Sequence, residues 1–137
     1  MITKNYWLLF LMMGIITFSF AQKDSLSKPR TGCLAGNCAD GSGVYLFENG
    51  ARYEGEFHNN MMQGKGKCVF SSGDYWDGEW QAGKMDGFGT YLYKDYRRYD
   101  GFMKADMREG YGIFFNADGS IFHNGLCHLN DKVEKKN

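Results

Sequence analysis

Along the middle of the chain, apolar and small residues alternate with polar ones. Gly41, Gly43, Tyr45 and Phe47 fall on odd positions, and so do Tyr53, Gly55 and Phe57 after a short polar gap. A period of two marks a strand with one buried face. The whole pattern then recurs. Gly-x-Gly stands at 41/43, 64/66, 87/89 and 110/112, and an aromatic follows at Tyr53, Trp76, Tyr99 and Phe122, each series stepping by 23 residues. Gly55, Gly78, Gly101 and then Asn124 come two positions later, and Phe57, Trp80, Met103 and Leu126 close the units. Such self-similarity predicts a stacked array of small supersecondary units.

Each unit reads as a hairpin. Its two odd-numbered groups share a face only if the connecting loop has an odd number of residues. Glu48-Asn49-Gly50, Ser71-Ser72-Gly73 and Ala117-Asp118-Gly119 suit a three-residue loop whose last residue is left-handed. Lys94-Asp95-Tyr96 puts a tyrosine there, at a cost of about 1 kcal/mol, so the third hairpin should be the weak one or carry a different loop. This register pairs Tyr45 with Tyr53, Cys68 with Trp76, Tyr91 with Tyr99 and Phe114 with Phe122. It also sets Gly43 against Gly55, Gly66 against Gly78 and Gly89 against Gly101, leaving bare backbone for rings to lie on. The predicted fold is all-β: an open, single-layer antiparallel meander of about eight strands. Four 23-residue hairpins (41–63, 64–86, 87–109 and 110–132) build it, with a partial unit at 32–40 able to add a ninth short strand and a charged tail at 131–137.

Composition sharpens this picture. The 137 residues include 19 Gly, one Pro and 17% aromatics; that glycine share is about twice the usual one, which disfavours a helical bundle. With 16 Lys+Arg against 16 Asp+Glu, nucleic-acid binding through bulk positive charge is excluded. Met1–Ala21 reads as a secretory signal peptide: Lys4 precedes an apolar run from Tyr6 to Phe20, and Ser19 and Ala21 supply the small residues of a cleavage site. The run is shorter than the roughly 20 residues of a spanning helix. A polar leader, residues 22–31, follows. The mature protein is therefore expected to be exported, where disulfides persist.

The segment GKGKCVFSSGDYWDGEWQAGK at 64–84 resembles the MORN (membrane occupation and recognition nexus) repeat family, with Cys68 at the first aromatic position. The resemblance extends over about residues 41–130 and departs from the pattern at Tyr96, Met103, Asn124 and Leu126. It implies an elongated single-layer sheet with a curved trough, and a role in scaffolding, dimerisation or membrane-proximal attachment, usually without catalysis.

Residues that could carry chemistry read mostly as structure. Glu54, Glu56, Asp77, Glu79 and Asp100 form a carboxylate row on the second face, but a catalytic pair would be unique rather than repeated; Asp77 faces Lys67 and Glu79 faces Lys65. Cys33 and Cys38 are spaced to close a small loop as a disulfide; a metal would need more ligands than lie nearby. Cys68 serves as a small apolar side chain, and Cys127 could pair between molecules. His58, His123 and His128 sit at different repeat phases and read as surface residues. No cofactor is expected. The best contact surface is the trough of Tyr53, Phe57, Trp76, Trp80, Tyr91 and Tyr99, suited to a peptide, a glycan or a partner's side chains, with self-packing of those rings the competing reading. Phe102, Ile113, Phe115 and Ile121 gather late on the second face as a self-association patch, to be covered by the tail, a second copy or another partner. A non-catalytic exported interaction module follows. A lipid-headgroup binder ranks behind it because acids interleave with Lys65, Lys67 and Lys84, and an enzyme on surface polymers ranks last.

Overall fold

The structure, a computed structural model, describes residues 31–127. The signal-peptide reading, most of the leader, and the chain from His128 onward lie outside the described residues. Within them are nine strands: β1 (Gly32–Gly36), β2 (Gly41–Leu46), β3 (Arg52–His58), β4 (Met61–Val69), β5 (Tyr75–Gln81), β6 (Lys84–Leu92), β7 (Arg98–Lys104), β8 (Met107–Phe115) and β9 (Ile121–Cys127). They form one antiparallel sheet in chain order, β1 through β9. The partial unit at the N-terminus does supply the ninth strand. At roughly 4.8 Å per strand, the ribbon is about 38 Å across.

The first three hairpins keep the register that the alternation predicts. Tyr45 lies opposite Tyr53, Cys68 opposite Trp76 and Tyr91 opposite Tyr99, with Gly43–Gly55, Gly66–Gly78 and Gly89–Gly101 beside them. All four hairpin tips close in the same way. Phe47, Phe70, Tyr93 and Asn116 donate their N–H to the carbonyls of Ala51, Asp74, Arg97 and Ser120, enclosing three residues each. Gly50, Gly73 and Gly119 hold φ of 89°, 91° and 85° at the left-handed position. The third loop is no different: Tyr96 takes φ 68° there and stays 75% exposed. Repetition of the neighbouring strands outweighs the local penalty at that one residue.

Consecutive units are joined by two-residue turns with both residues at positive φ, as the twist of a tight hairpin demands. Asn59-Asn60, Ala82-Gly83 and Ala105-Asp106 fill them. Each turn also reaches back one unit: Asn60, Gly83 and Asp106 donate to the carbonyls of Ala39, Met62 and Met85. Asp40, Gln63 and Asp86, again 23 apart, accept from the N–H of Asn59, Ala82 and Ala105 at 3.1, 3.1 and 3.3 Å. These bonds tie unit to unit outside the strand ladder.

Bulges follow a rule as well. The ladder shifts between Gly55 and Phe57, Gly78 and Trp80, and Gly101 and Met103. In the first two, a carboxylate caps the displaced backbone: Glu56 accepts from Lys65 N–H at 3.2 Å and Glu79 from Phe88 N–H at 3.1 Å. Glu79 thus spends its carboxylate on the backbone rather than on Lys65, which faces it in the ladder.

The fourth hairpin departs from expectation. A bulge displaces β9 so that Phe114 faces His123 rather than Phe122, and Gly112 faces Gly125. Asn124 stands where the earlier units have glycine, and sliding by one residue brings Gly125 beside Gly112 instead. A one-residue slip exchanges faces. Cys127 is therefore buried on the trough side, whereas Leu126 points outward with 65% of its surface exposed.

Candidate functional site

The trough is built from rings laid over paired glycines. Tyr53 covers Gly55 and Gly66, Trp76 covers Gly78 and Gly89, and Tyr99 covers Gly101 and Gly112, so that a Cβ on any of these glycines would run into the ring. The three rings are fully buried. Gly125, in the slipped hairpin, carries no such ring; its nearest neighbour would be His123 at 3.6 Å.

Polar atoms of the buried rings find backbone partners. The Tyr53 hydroxyl donates to the Glu56 carbonyl and the Tyr99 hydroxyl to the Phe102 carbonyl, each at 2.9 Å. Trp80 Nε1 donates to the Gly66 carbonyl at 3.0 Å. Trp76 breaks the series: its Nε1 is buried without a hydrogen-bond partner, a cost of about 1–3 kcal/mol. An indole offers its N–H at the ring side, whereas a tyrosine at this repeat position extends its hydroxyl along the strand. Burial pushes the Tyr53, Tyr91 and Tyr99 hydroxyls well above the usual phenol range, and it pushes the Cys68 thiol up to about 11. Cys68 is therefore an inert filler of the core.

Of the six rings expected to form the contact surface, Tyr53, Phe57, Trp76, Trp80 and Tyr99 are at most 6% exposed and belong to one buried cluster. Tyr53 meets Phe57 and Trp80 edge-on at 5.0 and 5.2 Å. Only Tyr91 keeps part of its surface open, beside Tyr45, Phe47, Met62, Phe70 and Tyr93. Phe47, Phe70 and Tyr93 are 23 apart, so the missed side chains carried the same periodic signal two positions beyond the first aromatic.

These open rings border two grooves of about 330 Å³ each. One is lined by Tyr45, Phe47, Phe57 and Met61, the other by Tyr91, Tyr93, Met103 and Met107. The two sets are equivalent residues two units, or 46 positions, apart. Rings and flexible thioethers make such a lining adaptable. At the second groove, Arg108 donates to the Tyr93 hydroxyl at 3.1 Å and lies over the Phe114 ring. Asp74 accepts from the hydroxyl of Tyr91, one of the residues lining this groove. Burial works against its charge, but hydrogen bonds from Lys94 N–H, Ser72 and the Tyr91 hydroxyl hold its carboxyl below the usual range.

On the opposite face the carboxylate row is engaged. Glu54 pairs with Arg52 at 3.0 Å, Asp77 with Lys67 at 3.3 Å, and Asp100 with Arg98 at 3.1 Å while accepting from Thr90. Among the described residues no group of three or more His, Cys, Asp or Glu could hold a metal ion. His58 is exposed against Asp40, and His123 is exposed on β9; His128 lies outside the described residues. A disulfide joins Cys33 to Cys38, clipping β1 to the loop that follows it. Cys127 is buried and bonds the Tyr99 side chain. The late apolar residues Phe102 and Ile121 are exposed, and Ile113 and Phe115 half-buried.

Comparison with curated proteins finds no match. The MORN repeat model, by contrast, matches four consecutive segments, residues 39–52, 53–75, 76–96 and 99–121. Those segments take up more than half of the chain, and the ring-over-glycine hairpins give their signature a physical meaning: the chain belongs to the MORN repeat family.

Proposed function

We propose that this protein is a non-catalytic, exported interaction module that holds an extended protein segment against its trough. The observation that carries the reading is the pair of equivalent ring- and methionine-lined grooves two units apart. Four strands at roughly 4.8 Å separate them by about 19 Å, a span that one extended peptide crosses while placing an apolar side chain in each. Membership of a repeat family that generally serves as interaction scaffolds supports this. Carboxylates already committed to backbone caps and ion pairs argue against acid–base catalysis. Export is supported by the signal-like N-terminus and agrees with the Cys33–Cys38 bond. A lipid-headgroup surface is the weaker reading because Lys67 is spent on Asp77.

Selection of peptides from a random displayed library on the purified protein tests this. Apolar or aromatic peptides should emerge, and Phe47→Ala and Tyr93→Ala should each weaken them at least tenfold. Selected peptides indifferent to both substitutions, or salt-sensitive binding to anionic vesicles instead, would remove the proposal.

A further inference from the structure

The outer face of the sheet changes character halfway along. Following one row of cross-strand neighbours from β2 to β9, the side chains are Ser42, Glu56, Lys65 and Glu79, and then Phe88, Phe102, Tyr111 and Leu126. The first four are polar or charged. The last four are large, apolar or aromatic, and 60%, 44%, 59% and 65% exposed. Equivalent positions carry opposite chemistry: Phe88 replaces Lys65, and Phe102 replaces both Glu56 and Glu79. That exchange forgoes something within the monomer. Glu56 and Glu79 cap the bulge N–H of the following strand, and a phenylalanine at 102 offers no acceptor for that purpose. The hairpin slip adds to the strip by turning Leu126 outward, next to Tyr111.

From these observations we propose that the chain binds a second copy of itself through this strip, the C-terminal halves of two outer faces packing about a two-fold axis. Sheet faces stack at about 10 Å with their side chains interleaved, and a strip of uncharged side chains can meet its own copy under such an axis. Area supports a second copy. At about 150–250 Å² per large side chain, the four residues offer on the order of 400 Å² per copy. The half-buried Ile113 borders Tyr111 along β8, and beyond it Ile121, 56% exposed, and Phe115, under the Arg98 guanidinium, continue the same face. The total is then near the roughly 1,000 Å² at which specific interfaces begin. The dimer is therefore concentration-dependent. A charged partner would find no matching charge inside the strip. This interface lies on the face opposite the trough and stands or falls independently of the peptide-binding proposal.

Analytical ultracentrifugation of the protein purified from cells expressing the whole gene tests it. The mass should double with rising concentration. Phe88→Lys with Phe102→Glu copies the residue types of Lys65, Glu56 and Glu79, which the same backbone already accepts. That double variant should stay folded by circular dichroism, melt no lower than the parent at concentrations where both are monomeric, and dissociate at least tenfold more readily. A single-chain mass throughout the soluble range overturns the proposal, as does a double variant that dimerises like the parent. Strip-dependent sedimentation with neutral vesicles by a protein that is monomeric in solution also overturns it, assigning the strip to a membrane.

Discussion

The first two units and the last two share a backbone but solve different problems. In the N-terminal part rings cover glycine pairs, carboxylates cap bulges and the outer row is polar or charged, with Cys68 the one departure from the repeat pattern. Toward the C-terminus substitutions accumulate. Tyr99 still covers Gly101 and Gly112, yet Phe102 has displaced the capping acid, Asn124 has displaced a glycine, and β9 has slipped. The comparison separates what the fold requires from what it tolerates. A ring over bare backbone is required, because no side chain fits beneath it. The outer face can be rewritten, because water or a partner can meet it equally well.

The largest expected effect lies at the centre of the well-formed part. Trp76→Ala removes a fully buried ring and should cost about 3–5 kcal/mol. Phe122→Ala, in the slipped hairpin where the ring is 37% exposed, should cost much less; equal losses in denaturant titration would abolish the distinction between the two parts. Next comes the glycine contrast. An alanine Cβ at Gly89 would lie 2.5 Å from the Trp76 ring, whereas at Gly125 the nearest atom is His123 at 3.6 Å. Gly89→Ala should therefore destabilise by about 1–3 kcal/mol and Gly125→Ala by far less, as thermal melts would show.

A gain is expected at the third hairpin tip. Tyr96 holds a left-handed conformation with its ring in water, so Tyr96→Gly should stabilise by up to about 1 kcal/mol, offset in part by the extra freedom glycine gives the unfolded chain. No gain at all would mean that the exposed ring contributes something the tip geometry does not show.

The smallest effect concerns pH. Hydrogen bonds hold the folded Asp74 carboxyl below its ordinary value, so on acidification the unfolded chain takes up that proton first. Its stabilising contribution is present above the ordinary carboxylate pKa and disappears as pH falls through the folded value. Asp74→Asn should flatten the acid limb of the stability profile, while Asp118→Asn, at the fully exposed fourth tip, should change it less. At the other extreme, the raised Tyr53 and Tyr99 hydroxyls predict stability lost above the ordinary phenol pKa, readable as tyrosinate absorbance appearing together with unfolding.

Much of this molecule was legible from residue spacing. The alternation, the 23-residue step and the turn residues specify hairpins, their tips, three of the four registers and which face holds the rings, because strand periodicity and left-handed turns are local properties. Several features were beyond that reach. The fourth register depends on Gly125 competing with Asn124 for the place beside Gly112, a comparison of two packings rather than a local preference. Glycine partners also had to be seen across the next strand: Tyr53 rests on Gly66 as well as Gly55, and neither the hairpin pairing nor the repeat step states that. Which rings stay open was likewise a tertiary outcome. Tyr53 and Tyr91 are both aromatic residues on the same face, yet one is sealed by Phe57 and Trp80 while the other borders a groove. Spacing alone determined that rings would line one side of a ribbon. Only the packing of neighbouring units decided which of them serve as core and which remain for a partner, because burial depends on what each neighbour contributes rather than on the residue itself.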